Sequence, residues 1–64
     1  MEKIAKYVKE TRKMLQITQA TLAMYAGVSI KFVIELEQGK KTLRMDKVLD
    51  VLRILGATLE PVRE

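Results

Sequence analysis

Two short apolar-periodic runs meet at Gly27. One covers Gln19 to Ala26; the other opens at Ile30, after Val28 and Ser29, and closes at Gly39. Helices shorter than about 12 residues are marginal in water, so the geometry of such a pair has to come from packing. Gly27 suits the left-handed position that ends one helix, and Ser29 suits the N-cap that starts the next. Ala23 and Ala26 are small enough to let the second helix approach the first, and Val28 can plug the corner into a core. A short glycine-containing turn of this kind joins helices at about 90–120°. That crossing pushes one end of the second helix out of the globule.

The rest of the chain has to supply the core. Its 64 residues allow one domain, taken here as residues 1–64. A chain this size buries only about 60% of its unfolded surface. Apolar residues make up 48% of it, but only two Tyr and one Phe are aromatic, so the core is aliphatic. There is no cysteine to staple the fold, and a partner subunit is expected to add burial. The absence of both His and Cys excludes zinc sites, Cys or His nucleophiles and a Ser-His-Asp triad. No glycine-rich phosphate loop is present. An enzyme is therefore not expected, nor a cofactor or metal. The net charge of +4 hints at an anionic partner, although scattered lysines also serve solubility. No apolar run approaches the length of a membrane span and no signal-peptide pattern is visible, so a cytoplasmic location is expected.

The periodicity predicts an all-α domain of four helices. The first runs from Glu2 to Leu15, with Ile4, Ala5, Val8 and Leu15 inward and Lys3, Lys6, Lys9 and Lys13 outward. Thr18 caps the second, Gln19 to Ala26, which turns Leu22, Ala23 and Ala26 inward. The third covers Ile30 to Gln38 with Val33 and Leu36 inward, and the fourth covers Met45 to Leu55 with Asp46 in its first turn. Beyond Gly56 the period changes. Pro61 bars a helix interior, and residues 57–62 read as a short edge strand. A projecting helix end fits the DNA major groove, and the free N–H groups at the start of the second helix can grip a phosphate.

These features together resemble the helix-turn-helix of the Xre/Cro-type, lambda-repressor-like regulators. The matching residues are Thr18-Gln19, Leu22-Ala23, Ala26-Gly27-Val28-Ser29, Val33, Leu36-Glu37 and Gly39-Lys40, with Arg12 upstream and "VLRILG" ending the fourth helix. The stretch "GKKTLRMDKVLDVLRILGATLE" looks like HipB-type antitoxins, in which a C-terminal strand pairs across the dimer. The resemblance implies a homodimer that represses its own operon and binds a toxin, typically a HipA-like serine/threonine kinase. It also implies a mostly buried ion pair between Arg12 and Glu37, and a phosphate clamp at Gln19. Three positions depart from the pattern. Gln16 stands where many relatives have Gly, Thr21 where an acidic residue is common, and Arg44 where Ser or Thr often precedes the fourth helix.

On the third helix, Ser29, Ile30, Lys31, Ile34 and Glu35 are the candidates for base contact. Ile30 and Ile34 lie one turn apart, away from the Val33 and Leu36 face, and can meet thymine methyls or else pack against protein. Lys31 can donate to guanine, to phosphate or only to water. Glu35 can accept from a cytosine amino group or stay solvated. Phe32 can pack over the second helix or brush DNA; packing is the favoured reading, with DNA contact a minor one. Thr18, Gln19, Lys40, Lys41 and Arg44 are the phosphate candidates, which position the protein but read no sequence. The fourth helix is apolar beyond one stripe. Val51 and Ile54, with Leu59 and Val62 of the edge strand, are the expected dimer contacts. The partners expected are thus double-stranded DNA carrying an inverted-repeat operator, a second copy of the chain and a HipA-like toxin. A phage-type repressor or a restriction-modification controller without a toxin is the alternative. A membrane-surface role for the lysine-rich first helix has no use for the capped glycine corner.

Overall fold

The computed structural model describes residues 2–56. Four helices follow one another: α1 (Glu2–Met14), α2 (Gln19–Ala26), α3 (Ile30–Glu37) and α4 (Met45–Ile54). Among the described residues there is no strand. The expected strand at 57–62, with Leu59 and Val62, lies outside them. No described helix is long and apolar enough to cross a membrane.

α2 packs on both α3 and α4, and α1 lies against α3. The core forms where these faces converge. Val8 comes from α1, Leu22 and Ala23 from α2, Phe32, Val33 and Leu36 from α3, and Val48, Val51 and Leu52 from α4, with Leu55 just beyond. Phe32 is only 9% exposed. It packs into the core, as its sequence context suggested.

Local signals set the helix ends. Thr18 Oγ1 accepts from the Thr21 amide at 3.0 Å, and Ser29 Oγ accepts from the Phe32 amide at 3.0 Å. Each satisfies one of the donors that a helix start leaves without an intrahelical partner. Gly27 takes φ +73°, its amide bonding Met24 O at 3.3 Å while Val28 N bonds Ala23 O at 3.0 Å. These paired bonds close the end of α2 and aim Val28 at the core, against which it packs half-buried.

The end of α1 uses the same pair of bonds without a glycine. Gln16 N bonds Lys13 O at 3.0 Å and Ile17 N bonds Arg12 O at 3.2 Å, with Gln16 at φ +59°. Because the chain reverses there, Ile17 packs against the core and Leu15 is left 53% exposed. The expectation that Leu15 faces inward is therefore corrected: the helix ends at Met14, and Leu15 belongs to the turn. A side-chain-bearing residue in the left-handed region costs roughly 1–2 kcal/mol. Glycine relieves this but gives back part of the gain through the unfolded chain. Gln16→Gly is expected to stabilise the domain by roughly 0.5–1 kcal/mol, read as a higher Tm. An unchanged or lower Tm would mean the glutamine side chain offsets its own backbone conformation.

A second correction concerns α4. Its packing on α2 leaves Val51 fully buried within the subunit, with no surface for a second copy to touch. Val51 falls on the same stripe as Val48, Leu52 and Leu55, which the chain's own core consumes. Ile54 lies outside that stripe and is 42% exposed.

Candidate nucleic-acid interface

The N-terminal edge of α3 is open to solvent. Ser29, Ile30 and Lys31 are exposed, while Phe32, Val33 and Leu36 on the opposite side are buried. Helical periodicity explains the split: positions 30, 31, 34, 35 and 38 share one side, and 32, 33 and 36 share the other. Ile30 is 48% exposed, whereas Ile34 is half-buried and packs partly against its own domain. Gln38, the C-cap residue of α3, is exposed on the same side, one turn beyond Ile34. It was not among the residues singled out from the sequence, although its spacing of four from Ile34 and seven from Lys31 places it there.

Lys31 takes part in no ion pair among the described residues, and neither does Lys41. The other cations near the edge have internal partners. Lys40 Nζ lies 3.4 Å from Glu35 Oε2, and its amide bonds Glu35 O at 3.1 Å across the end of α3. Glu35 is thus half-buried and paired rather than freely solvated. Arg44 grips Asp46 with two bonds, Nε to Oδ1 at 3.2 Å and Nη2 to Oδ2 at 2.8 Å. The hydrogen bond from Arg44 holds the Asp46 carboxyl below the usual carboxylate range, so it stays ionised at neutral pH. Asp46 Oδ1 also accepts the Lys47 amide at 2.9 Å. That bond supports the first turn of α4, where Arg44 at the N-cap makes no side-chain cap bond of its own.

Behind the edge, Arg12 and Glu37 form the expected ion pair. Arg12 Nε donates to Glu37 Oε2 at 2.7 Å and Nη2 to Oε1 at 3.2 Å, with side chains 11% and 4% exposed. Arg12 Nη1 also donates to Ile17 O at 2.9 Å, tying the α1–α2 turn to the same cluster. Gln19 joins it from the start of α2, its Nε2 donating to Glu37 Oε1 at 3.1 Å. The position read as a phosphate clamp is therefore also a member of the interior hydrogen-bond network.

This arrangement is a tightly capped helix corner, one exposed helix edge and free lysines beside it. A family profile described as Helix-turn-helix matches residues 8–62. The chain belongs to the helix-turn-helix family. Its Xre/Cro-like domain is 40% identical over 57 residues to the uncharacterised HTH-type transcriptional regulator y4mF of Sinorhizobium fredii, an alignment covering 89% of this chain and 75% of that protein. The helix-turn-helix proper is α2, the Gly27 corner and α3, making α3 the recognition helix in this architecture. A helix-turn-helix protein of this kind is a DNA-binding regulator of transcription.

Proposed function

We propose that this regulator is a repressor which binds an inverted-repeat operator as a homodimer, placing one copy of α3 in each of two successive major grooves. The observation that carries the reading is the exposed Ser29-Ile30-Lys31 edge at the start of the recognition helix. Base contacts come from Ser29, Ile30 and Lys31, with Ile34 and Glu35 contributing through their exposed parts. The N-terminus of α2, at Thr18 and Gln19, and the cations Lys40, Lys41 and Arg44 meet phosphates. Half-sites lie about 34 Å apart. Ile54 and the segment with Leu59 and Val62 supply the contact between copies.

Two subunits that each present Lys40, Lys41 and Arg44 neutralise about six phosphates. Binding to the protein's own promoter fragment is therefore expected to weaken by about 10³-fold between roughly 50 and 200 mM salt. Gel shifts across that range test it. Salt-insensitive binding, or none at low salt, would overturn the reading.

The internal partner of Arg44 gives a further check. To meet a phosphate, Arg44 exchanges one anion for another, and Asp46 adds a negative charge beside the DNA. Asp46→Asn is expected to tighten promoter binding by up to about fivefold per subunit, or about 25-fold for the dimer, since exposed ion pairs hold their partners by roughly 1 kcal/mol or less. A loss of affinity in a still-folded Asp46→Asn protein would mean that the pair positions Arg44 rather than restraining it.

The resemblance of "GKKTLRMDKVLDVLRILGATLE" to HipB-type antitoxins supports a narrower role. The regulator acts in the cytoplasm as the antitoxin of a toxin–antitoxin operon, repressing its own promoter and binding a HipA-like kinase. A kinase-like reading frame beside the gene, and co-purification of its product, would support this. Their absence would favour a phage-type repressor or a restriction-modification controller.

A further inference from the structure

One buried carboxylate joins the two helices of the DNA-binding unit. Both oxygens of Glu37 are engaged: Oε2 by Arg12 Nε at 2.7 Å, and Oε1 by Arg12 Nη2 at 3.2 Å and Gln19 Nε2 at 3.1 Å. An ionised carboxylate only accepts hydrogen bonds. It therefore fixes which way round the Gln19 amide sits, with its nitrogen turned toward Glu37. Gln19 is the first residue of α2, where backbone N–H groups lack intrahelical partners and anions are favoured. Glu37 uses one of the two Gln19 amide hydrogens, and among the described residues the second has no partner. We propose that Glu37 is a positioning residue for DNA binding, holding Gln19 so that its remaining amide N–H meets a backbone phosphate. A surface glutamine ordered only on binding loses its rotamer freedom at that moment; one already held does not. Because Glu37 is also the last residue of α3, the same contact couples the phosphate clamp to the recognition helix.

This rests on the operator-binding reading, and the test separates the two. Promoter-fragment affinity is measured for the wild type, Gln19→Ala, Glu37→Asp and the double variant. Aspartate retracts the carboxylate by one methylene. The longer Arg12 side chain, with two donors on the carboxylate, can follow it further than the shorter Gln19 side chain with one. Gln19→Ala is expected to weaken binding about tenfold per subunit, or about 100-fold for the dimer, the scale of one hydrogen bond to a charged group in each copy. Glu37→Asp is expected to weaken binding severalfold, with no further loss when Gln19 is already alanine. If Glu37→Asp leaves affinity unchanged, or its loss simply adds to that of Gln19→Ala, the proposal is overturned while operator binding stands. If the wild type fails to bind the promoter fragment, both fall. A second measurement needs no variant. In the wild-type protein, the two Gln19 side-chain amide protons are expected to resonate away from the solvent-averaged glutamine position, one of them moving further when promoter DNA is added. Solvent-averaged shifts in the free protein would overturn the proposal even if Glu37→Asp fails to fold.

Discussion

Glu37→Ala is expected to abolish the cooperative thermal transition, or to leave a broad one near ambient temperature. The carboxylate is 4% exposed and carries three hydrogen bonds. Among the described residues, its removal leaves the Arg12 guanidinium with Ile17 O as its remaining partner and the Gln19 side chain with none. Breaking one side of a buried pair costs about 3–5 kcal/mol, chiefly because the other charge stays desolvated. Arg12 keeps 11% exposure and can partly reach water, which puts the loss toward the lower end of that range. Proteins carry roughly 0.05–0.15 kcal/mol of stability per residue, or about 3–10 kcal/mol for 64 residues, and a domain this small, at the lower end of that range, has little more than this to lose. Differential scanning calorimetry reads the result. Replacing both partners, Arg12→Met with Glu37→Leu, is expected to restore a sharp transition, because no charge is then left stranded. A Glu37→Ala change of less than about 1 kcal/mol would place the pair with ordinary surface contacts.

Lys31→Glu is expected to remove operator binding while leaving the fold intact. Lys31 is exposed on the outward side of α3 and has no ion-pair partner among the described residues, so no internal contact is lost. It sits in the first turn of the helix, where the dipole favours an acid, but the new carboxylate lies one turn from Glu35; the two effects offset, and the melting temperature should change little. Losing the lysine contact alone costs about 1–3 kcal/mol. The reversed charge adds repulsion from the phosphates, so the loss should exceed about 100-fold at moderate salt. Comparing promoter with random DNA then identifies the contact. A base contact shows as a larger loss on the promoter, and a phosphate contact as an equal loss on both. Undiminished affinity for Lys31→Glu would remove this edge of α3 from the interface.

Much of this architecture can be read along the chain because the deciding interactions are local. Thr18 and Ser29 cap the helices that follow them, and Gly27 takes the left-handed conformation that its place in the pattern requires. Such devices act within a few residues, so residue type and spacing suffice to find them. The inward stripes of α2 and α3 follow from helical period for the same reason. The misreadings sit where two segments compete for one place. Leu15 continues the apolar period of α1, but the reversal at Gln16 brings Ile17 to the core instead. Val51 looked surplus on an over-apolar helix until the packing of α4 on α2 claimed it.

The corner, the caps and the outward edge of α3 were thus written into residue order, since each depends on neighbours no more than a turn or two away. Which apolar residue is spare and which carboxylate Gln19 meets depend on groups far apart along the chain. Arg12 and Glu37 are 25 residues apart, and Gln19 and Glu37 are 18 apart. Contacts over such separations exist only after the helices have packed, because their geometry is set by helix placement and not by the backbone that links them.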